Sequence, residues 1–178
     1  IDTEALCIIA GEKAWALHCE IQALDNGGNV LDAASLATIA ALRHFRRPVV
    51  SVVDGAVREH LAEERVPEPL AIHHTPVALT FAFFRNGADC VSDPSFAEEL
   101  SMDGTLTLIF NEHGEVCGVS MSGGAAVSRE VVMHCSQIAK EKARTLCNLL
   151  DGELVRADKA AMAVYSSTAS GPGSLTLG

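Results

Sequence analysis

Two aspartates seven residues apart flank a glycine pair in Asp25-Asn26-Gly27-Gly28-Asn29-Val30-Leu31-Asp32. Paired carboxylates can serve as general acid and base or hold a divalent cation, provided that both converge on one point. Glycines ahead of a helix can cradle phosphate, because free backbone N–H groups and the helix dipole attract anions. Asp25 falls at a strand end and Asp32 in a first helical turn, so nothing in the spacing forces them together. Phosphate loops add a nearby Lys or Arg. Neither Gly27-Gly28 nor the second pair, Gly123-Gly124, has one close by; Arg129, five residues after Gly124, is the nearest. The same residues make a positive-φ turn followed by a cap, with Asn29 as N-cap and Asp32 as the N3 residue. Turn and cap is the favoured reading.

The other chemistry-bearing residues are scattered. His73 and His74 invite a metal, but neighbours on a strand point to opposite faces, and no metal set is expected. His113 falls in a turn and His134 on a helix among polar residues. Glu98, Glu99 and Asp103 follow Asp93 and read as a solvated acidic turn. No Ser-His-Asp or Cys-His arrangement can be assembled, and no cofactor is implied. The six cysteines contain no CxxC pair and mostly lie in apolar segments, which fits buried thiols in a reducing compartment. Thirteen Lys and Arg against 23 Asp and Glu give a net charge of −10, which disfavours bulk nucleic-acid binding. Arg43, Arg46 and Arg47 are the best basic cluster and the candidate RNA contacts, although arginines also suit a helix C-terminus.

These residues need elements to hold them. With 48% hydrophobic and 20% charged residues, the composition is that of a globular protein, and no apolar run is long enough to span a membrane as a helix. Residues 5–10 and 14–24 predict a hairpin, the second strand alternating through Trp15, Leu17, Cys19, Ile21 and Ala23. Val30 to His44 predicts a helix, apolar nearly all round and therefore sandwiched in a core. Further strands are expected over 49–53, 76–84, 87–93, 105–110 and 116–122, with a single helical turn between 93 and 104. A helix is expected from Arg129 to Leu150, capped by Ser128 and carrying an apolar stripe through Val131, Cys135, Ala139, Ala143 and Leu150. Hairpin, Gly-Gly and helix thus recur at 5–44 and 105–150.

Residue chemistry stops there, at an α/β protein with two hairpin–helix units. The segments IDTEALCIIAGEKAW, GNVLDAASLATIAALRHFRRP, PLAIHHTPVALTFAFF and VSDPSFAEELSMDGTLTL, with SGG before the final helix, resemble in order the RNase PH family. The likeness is to the non-catalytic ring subunits of the RNA exosome. It implies an α/β (α+β) fold of hairpin–helix units, mixed sheets packed on helices, in two similar subdomains. Residues 1–53 would be the second half of the first subdomain, with an N-terminal portion missing. Residues 54–69 would be a linker, 70–152 the second subdomain, and 153–178 a disordered tail. The implied partners are other RNase PH-like ring subunits and single-stranded RNA, with no membrane, in the nucleus, nucleolus and cytoplasm. Catalytic relatives carry an Asp-Gly-Gly segment whose Asp is an active-site acid, and Gly27 takes that place here. Asp32 falls on an acid typical of inactive subunits, and Asp25 lies two positions early. The expectation is a subunit without chemistry of its own that supports 3′-to-5′ RNA processing, rRNA maturation included. The alternatives are an active phosphorolytic 3′-to-5′ exoribonuclease, in which Asp25 serves, and a stand-alone interaction domain.

Overall fold

The computed structural model describes residues 1–169. A 3₁₀ turn over Glu4–Leu6 leads into β1 (Cys7–Ile9) and β2 (Lys13–Ala14), then α1 (Val30–His44). Three short strands follow, β3 (Arg46–Arg47), β4 (Val50–Val53) and β5 (Ala56–Glu59), with β6 (Glu68–Pro69) closing that region. The remainder is β7 (Val77–Phe84), β8 (Asp89–Ser92), α2 (Phe96–Glu99), β9 (Gly104–Phe110), β10 (Val116–Gly123) and α3 (Arg129–Ala169).

The centre of the molecule is a four-stranded sheet in the order β10-β9-β7-β8. Its inner strands are the ones whose sequences read as nearly unbroken apolar runs, VALTFAFF and GTLTLIF, as burial on both faces requires. Phe81, Phe83, Leu106, Leu108 and Phe110 are fully buried in one cluster with Cys135, Ala139, Ala143 and Cys147 of α3. Those four helix residues recur every four positions and are all small. The backbone of α3 can therefore lie close on the sheet while the phenylalanines fill the space between them. Ser128 opens α3 as expected, its hydroxyl accepting the Val131 N–H at 3.4 Å.

The α/β class with hairpin–helix units and a sheet on helices stands. The expected mixed sheets do not, since every strand pair among the described residues is antiparallel. The strands of the four-stranded sheet are joined by tight turns and one single-turn helix, which suits antiparallel neighbours rather than a parallel crossover. The strand expected over 14–24 shrinks to Lys13–Ala14, because β1 offers only three residues to pair with. Beyond it Ile21 and Leu24 lie in solvent. Helix α1 keeps its expected bounds but is not sandwiched: it lies against β7 and α3, only Ile39 is fully buried, and Leu31 faces outward.

The expected linker over 54–69 begins instead as the second arm of a hairpin. Asp54 and Gly55 both take positive φ, 51° and 76°, forming the two-residue turn between β4 and β5. Asp-Gly between alternating apolar residues favours that turn, because both central positions need left-handed backbone. Farther on, Glu68–Pro69 pairs with Arg46–Arg47. The tail expected over 153–178 is corrected as far as residue 169, through which α3 continues; residues 170–178 lie outside the described residues. Gly152 costs a helix interior about 1 kcal/mol relative to Ala. Strong helix formers follow it, an Arg156–Glu153 pair supports the next turn, and Arg46 grips Asp158 from the end of α1.

Candidate functional site

A cleft of about 590 Å³ opens where the start of α1, the first half of β7, the end of β8 and α3 meet. Its polar lining includes Asn29, Asp32, Thr80, Asp93, Glu141 and Lys142, with Ser92 and Thr145 beside them. The glycine-flanked segment of α1 therefore does border a cavity.

Its residues are committed to one another. Asp32 accepts the Thr80 amide N–H through Oδ2 at 2.6 Å and the Thr80 hydroxyl through Oδ1 at 2.7 Å. With the Thr80 proton so directed, Thr107 is the donor in the 2.9 Å contact between the two hydroxyls. The Asn29 amide nitrogen donates to Asp32 at 2.8 Å and to Asp93 at 2.7 Å, and the Asn29 backbone N–H donates to Glu99 at 2.9 Å. The start of α1 is in this way riveted to the inner sheet strand and to the loop after β8. Among the described residues, Asn29 Oδ1 is buried without a hydrogen-bond partner.

Asn29 is consequently not the cap that the sequence suggested. Its φ of 49° is left-handed, and its side chain makes no cap hydrogen bond. Asp32 likewise is a bridge to β7 more than a charge set against the helix dipole. Asp25 is exposed and, among the described residues, accepts only the neighbouring Asn26 N–H, at 2.8 Å, so there the two aspartates share no partner. The phosphate cradle is also absent as a free group of donors, since the Gly28 N–H already bonds Asn26 Oδ1 at 3.1 Å. Gly28 answers to packing: at φ 108°, a Cβ there would overlap the backbone of Pro94, Ser95 and Phe96. The Gly27 carbonyl receives the Phe96 N–H at 2.9 Å, while the space where its Cβ would stand is open.

The acidic turn after Asp93 is not merely solvated. Glu98 closes a capping box with Ser95 over α2, and its carboxyl lies below its ordinary range because it accepts the Ser95 backbone N–H and hydroxyl. Glu99 holds Asn29, and Asp103 accepts the Asn86 N–H at 2.7 Å. Sequence reasoning missed these roles. The Ser-x-x-Glu pattern at 95–98 was a legible signal for the cap; nothing in the sequence marked the contact between Glu99 and Asn29, seventy positions apart.

The three arginines each meet a carboxylate. Arg43 pairs with Asp151 at 2.6 Å, Arg46 with Asp158 at 2.9 Å, and Arg47 with Glu68 at 3.3 Å. Arg46 also donates to the carbonyls of Arg43, His44 and Phe45, covering the last acceptors of α1, and Arg47 reaches the Ala5 carbonyl. They clasp α1 to α3 and to the N-terminal segment. His73 and His74 lie ahead of β7 rather than on a strand and take different partners, His73 meeting Asp2 at 3.4 Å and His74 meeting His113 edge to face.

Among the thiols, Cys135 and Cys147 are buried and the other four are exposed. Burial pushes the Cys135 thiol up to about 12, aided by the Cys90 sulfur 3.6 Å away.

Family models match on both sides of the cleft. Residues 3–48 match the 3′ exoribonuclease family, domain 1, and residues 74–142 match the same family's domain 2. The chain is 46% identical over 154 residues to the exosome complex component RRP45 of Bos taurus, covering 86% of this chain and 35% of that protein. It is 45% identical over 150 residues to the exosome complex component RRP45 of Homo sapiens, covering 84% and 34%. The chain thus spans about a third of the length of these two relatives. A solved Archaeoglobus fulgidus exosome with RNA bound to the active site superposes with a TM-score of 0.57 at 28% identity, over 70% of this chain and 44% of that one.

Proposed function

Since this chain belongs to the RNase PH (3′ exoribonuclease) family, we propose that it serves as a non-catalytic ring subunit of an RNA exosome. In that role it supports 3′-to-5′ processing and degradation of RNA, rRNA maturation included, in the nucleus, nucleolus and cytoplasm. Its partners are other RNase PH-like subunits and the single-stranded RNA passing through their channel. The observation that carries this reading is the spent state of the cleft. Asp32, Asp93 and Glu99 all accept hydrogen bonds that hold α1 in place, and Gly27 brings no side chain at all. A general acid or base must be free to exchange its proton with substrate.

The charge distribution agrees. Lys142 is the one cation lining the cleft among the described residues, against Asp32, Asp93 and Glu141, and it already donates to Ser92 at 2.8 Å. Such a wall does not gather phosphate. An RNA strand in a ring meets cations contributed by several chains, so one member can carry −10. The edge strand β10 offers an unpaired backbone edge beside exposed Val116, Val119 and Met121, which suits a permanent neighbour.

A second reading, an active phosphorolytic exoribonuclease, draws on the likeness to the archaeal exosome with RNA in its active site. Affinity purification of the full-length protein from its own cells, followed by a phosphate-dependent RNA degradation assay, separates the two. The scaffold reading expects single copies of several RNase PH-like subunits together with a hydrolytic nuclease, and no nucleoside diphosphate release by the subunit alone. Phosphorolysis that Asp25→Ala abolishes and Asp32→Ala spares would establish the second. A homo-oligomer or a lone chain would overturn the scaffold reading.

A further inference from the structure

Outside the cleft lining, ahead of the start of β7, three ligand-type side chains from two separate stretches of chain come together. His74 lies just ahead of β7, and Glu112 and His113 lie in the turn between β9 and β10; one ligand atom from each falls within 4.8 Å of the others. The His113 Nε2 stands 3.6 Å from Glu112 Oε1, and the rings of His74 and His113 meet edge to face with centroids 6.3 Å apart.

The backbone beneath them is fixed. Asn111 is buried, and its Oδ1 accepts the N–H groups of His113 at 3.0 Å and Glu115 at 2.9 Å, setting the turn that carries two of the three side chains. Its amide nitrogen donates to Glu115 at 2.7 Å, which closes the turn from the other side. The third, His74, is held near them through its neighbour, because the Thr75 N–H donates to Glu112 Oε2 at 2.7 Å. That bond uses one carboxylate oxygen and leaves Oε1 on the side of His113. Two imidazoles and a carboxylate oxygen on preset backbone form a donor set suited to a borderline-soft divalent ion and poorly suited to Mg²⁺ or Ca²⁺.

We propose that His74, Glu112 and His113 form a binding site for a zinc-class divalent cation, which fastens the start of β7 to the β9–β10 turn. Tetrahedral zinc with N and O ligands near 2.0–2.1 Å needs ligand atoms about 3.3 Å apart, so the present spacing closes with modest rotation of two imidazoles. His113 is 64% exposed and free to make that rotation. Three protein ligands leave one coordination position for water.

The test uses the full-length, reduced protein with Zn²⁺ for equilibrium binding and Co²⁺ as the spectroscopic probe. The expected result is one equivalent bound per chain, with visible Co²⁺ bands of nitrogen and oxygen ligation and no thiolate charge-transfer band. His74→Ala and His113→Ala should each weaken binding at least tenfold. Glu112→Gln should weaken it too, while keeping an acceptor for Thr75 and hence the fold. His73→Ala, whose ring faces Asp2, should bind as the parent does. Absence of binding, binding unchanged in both histidine variants, or a thiolate band from the cysteines would overturn the site.

Discussion

Residues 77–150 and residues 1–69 contain similar proportions of apolar side chains to the eye, yet they are stabilised in different ways. The later region closes a four-stranded sheet against α3 and buries aromatic, aliphatic and small residues in one cluster. The earlier region holds three two-stranded ladders, and both a ladder strand and the connecting segments leave apolar side chains in solvent: Val52 and Val53 of β4 are exposed, and in the connections Leu24 is 93% exposed, Leu61 69% and Val66 79%. Isolated two-stranded ribbons are marginal in water, because they bury too little to offset chain entropy. The earlier region is consequently held by polar rivets, the Asn29–Asp32–Thr80 bridge and the arginine clasps.

The contrast is sharpest in thiol reactivity. Cys135 and Cys147 lie in the cluster, and Cys19 and Cys117 are exposed. Alkylation followed by peptide mass mapping should modify the exposed pair first, with Cys135 slower by a factor on the order of a thousand, since it reacts only through opening of the core. Comparable rates would mean that the core is not closed. Next in size, Phe81→Ala should cost about 3–5 kcal/mol by chemical denaturation, from a cavity under α3; a loss below about 1 kcal/mol would dissolve the distinction between the regions. Asp32→Ala should cost roughly 2–3 kcal/mol, because it leaves the Thr80 N–H and hydroxyl and one Asn29 donor unpaired. Hydrogen exchange at Thr80 should rise with it, and unchanged exchange would show that the rivet does not hold. Leu24→Ser, in the exposed segment, should change stability by under about 0.5 kcal/mol; a larger loss would place that segment in a contact of its own.

Legibility in the sequence followed the same division. Over 77–150, apolar runs and the four-residue recurrence in α3 announced the strands and the helix; the structure keeps the strands with small shifts at the ends and carries α3 on from Leu150 to Ala169. In residues 14–24 the alternation was as clear, but a strand needs a partner, and three residues of β1 cannot supply one. The Asp54-Gly55 hairpin was written locally and was passed over because its charged neighbours resembled a linker. At the cleft, the question posed by Asp25 and Asp32 could be framed from spacing. The partners that tie up Asp32 were not visible, since Thr80 lies 48 positions away.

The sequence by itself determined the family, the order of most elements and which helix face is apolar, because periodicity and local motifs act over a few residues. Tertiary structure alone decided what the polar residues do. It turned Asn29 and Asp32 from a cap into a bridge, paired Arg43, Arg46 and Arg47 with carboxylates, and brought His74 beside Glu112 and His113. Each of those outcomes depends on side chains meeting across distant stretches of chain, and a polar group's role is set by the partner it meets once water is removed.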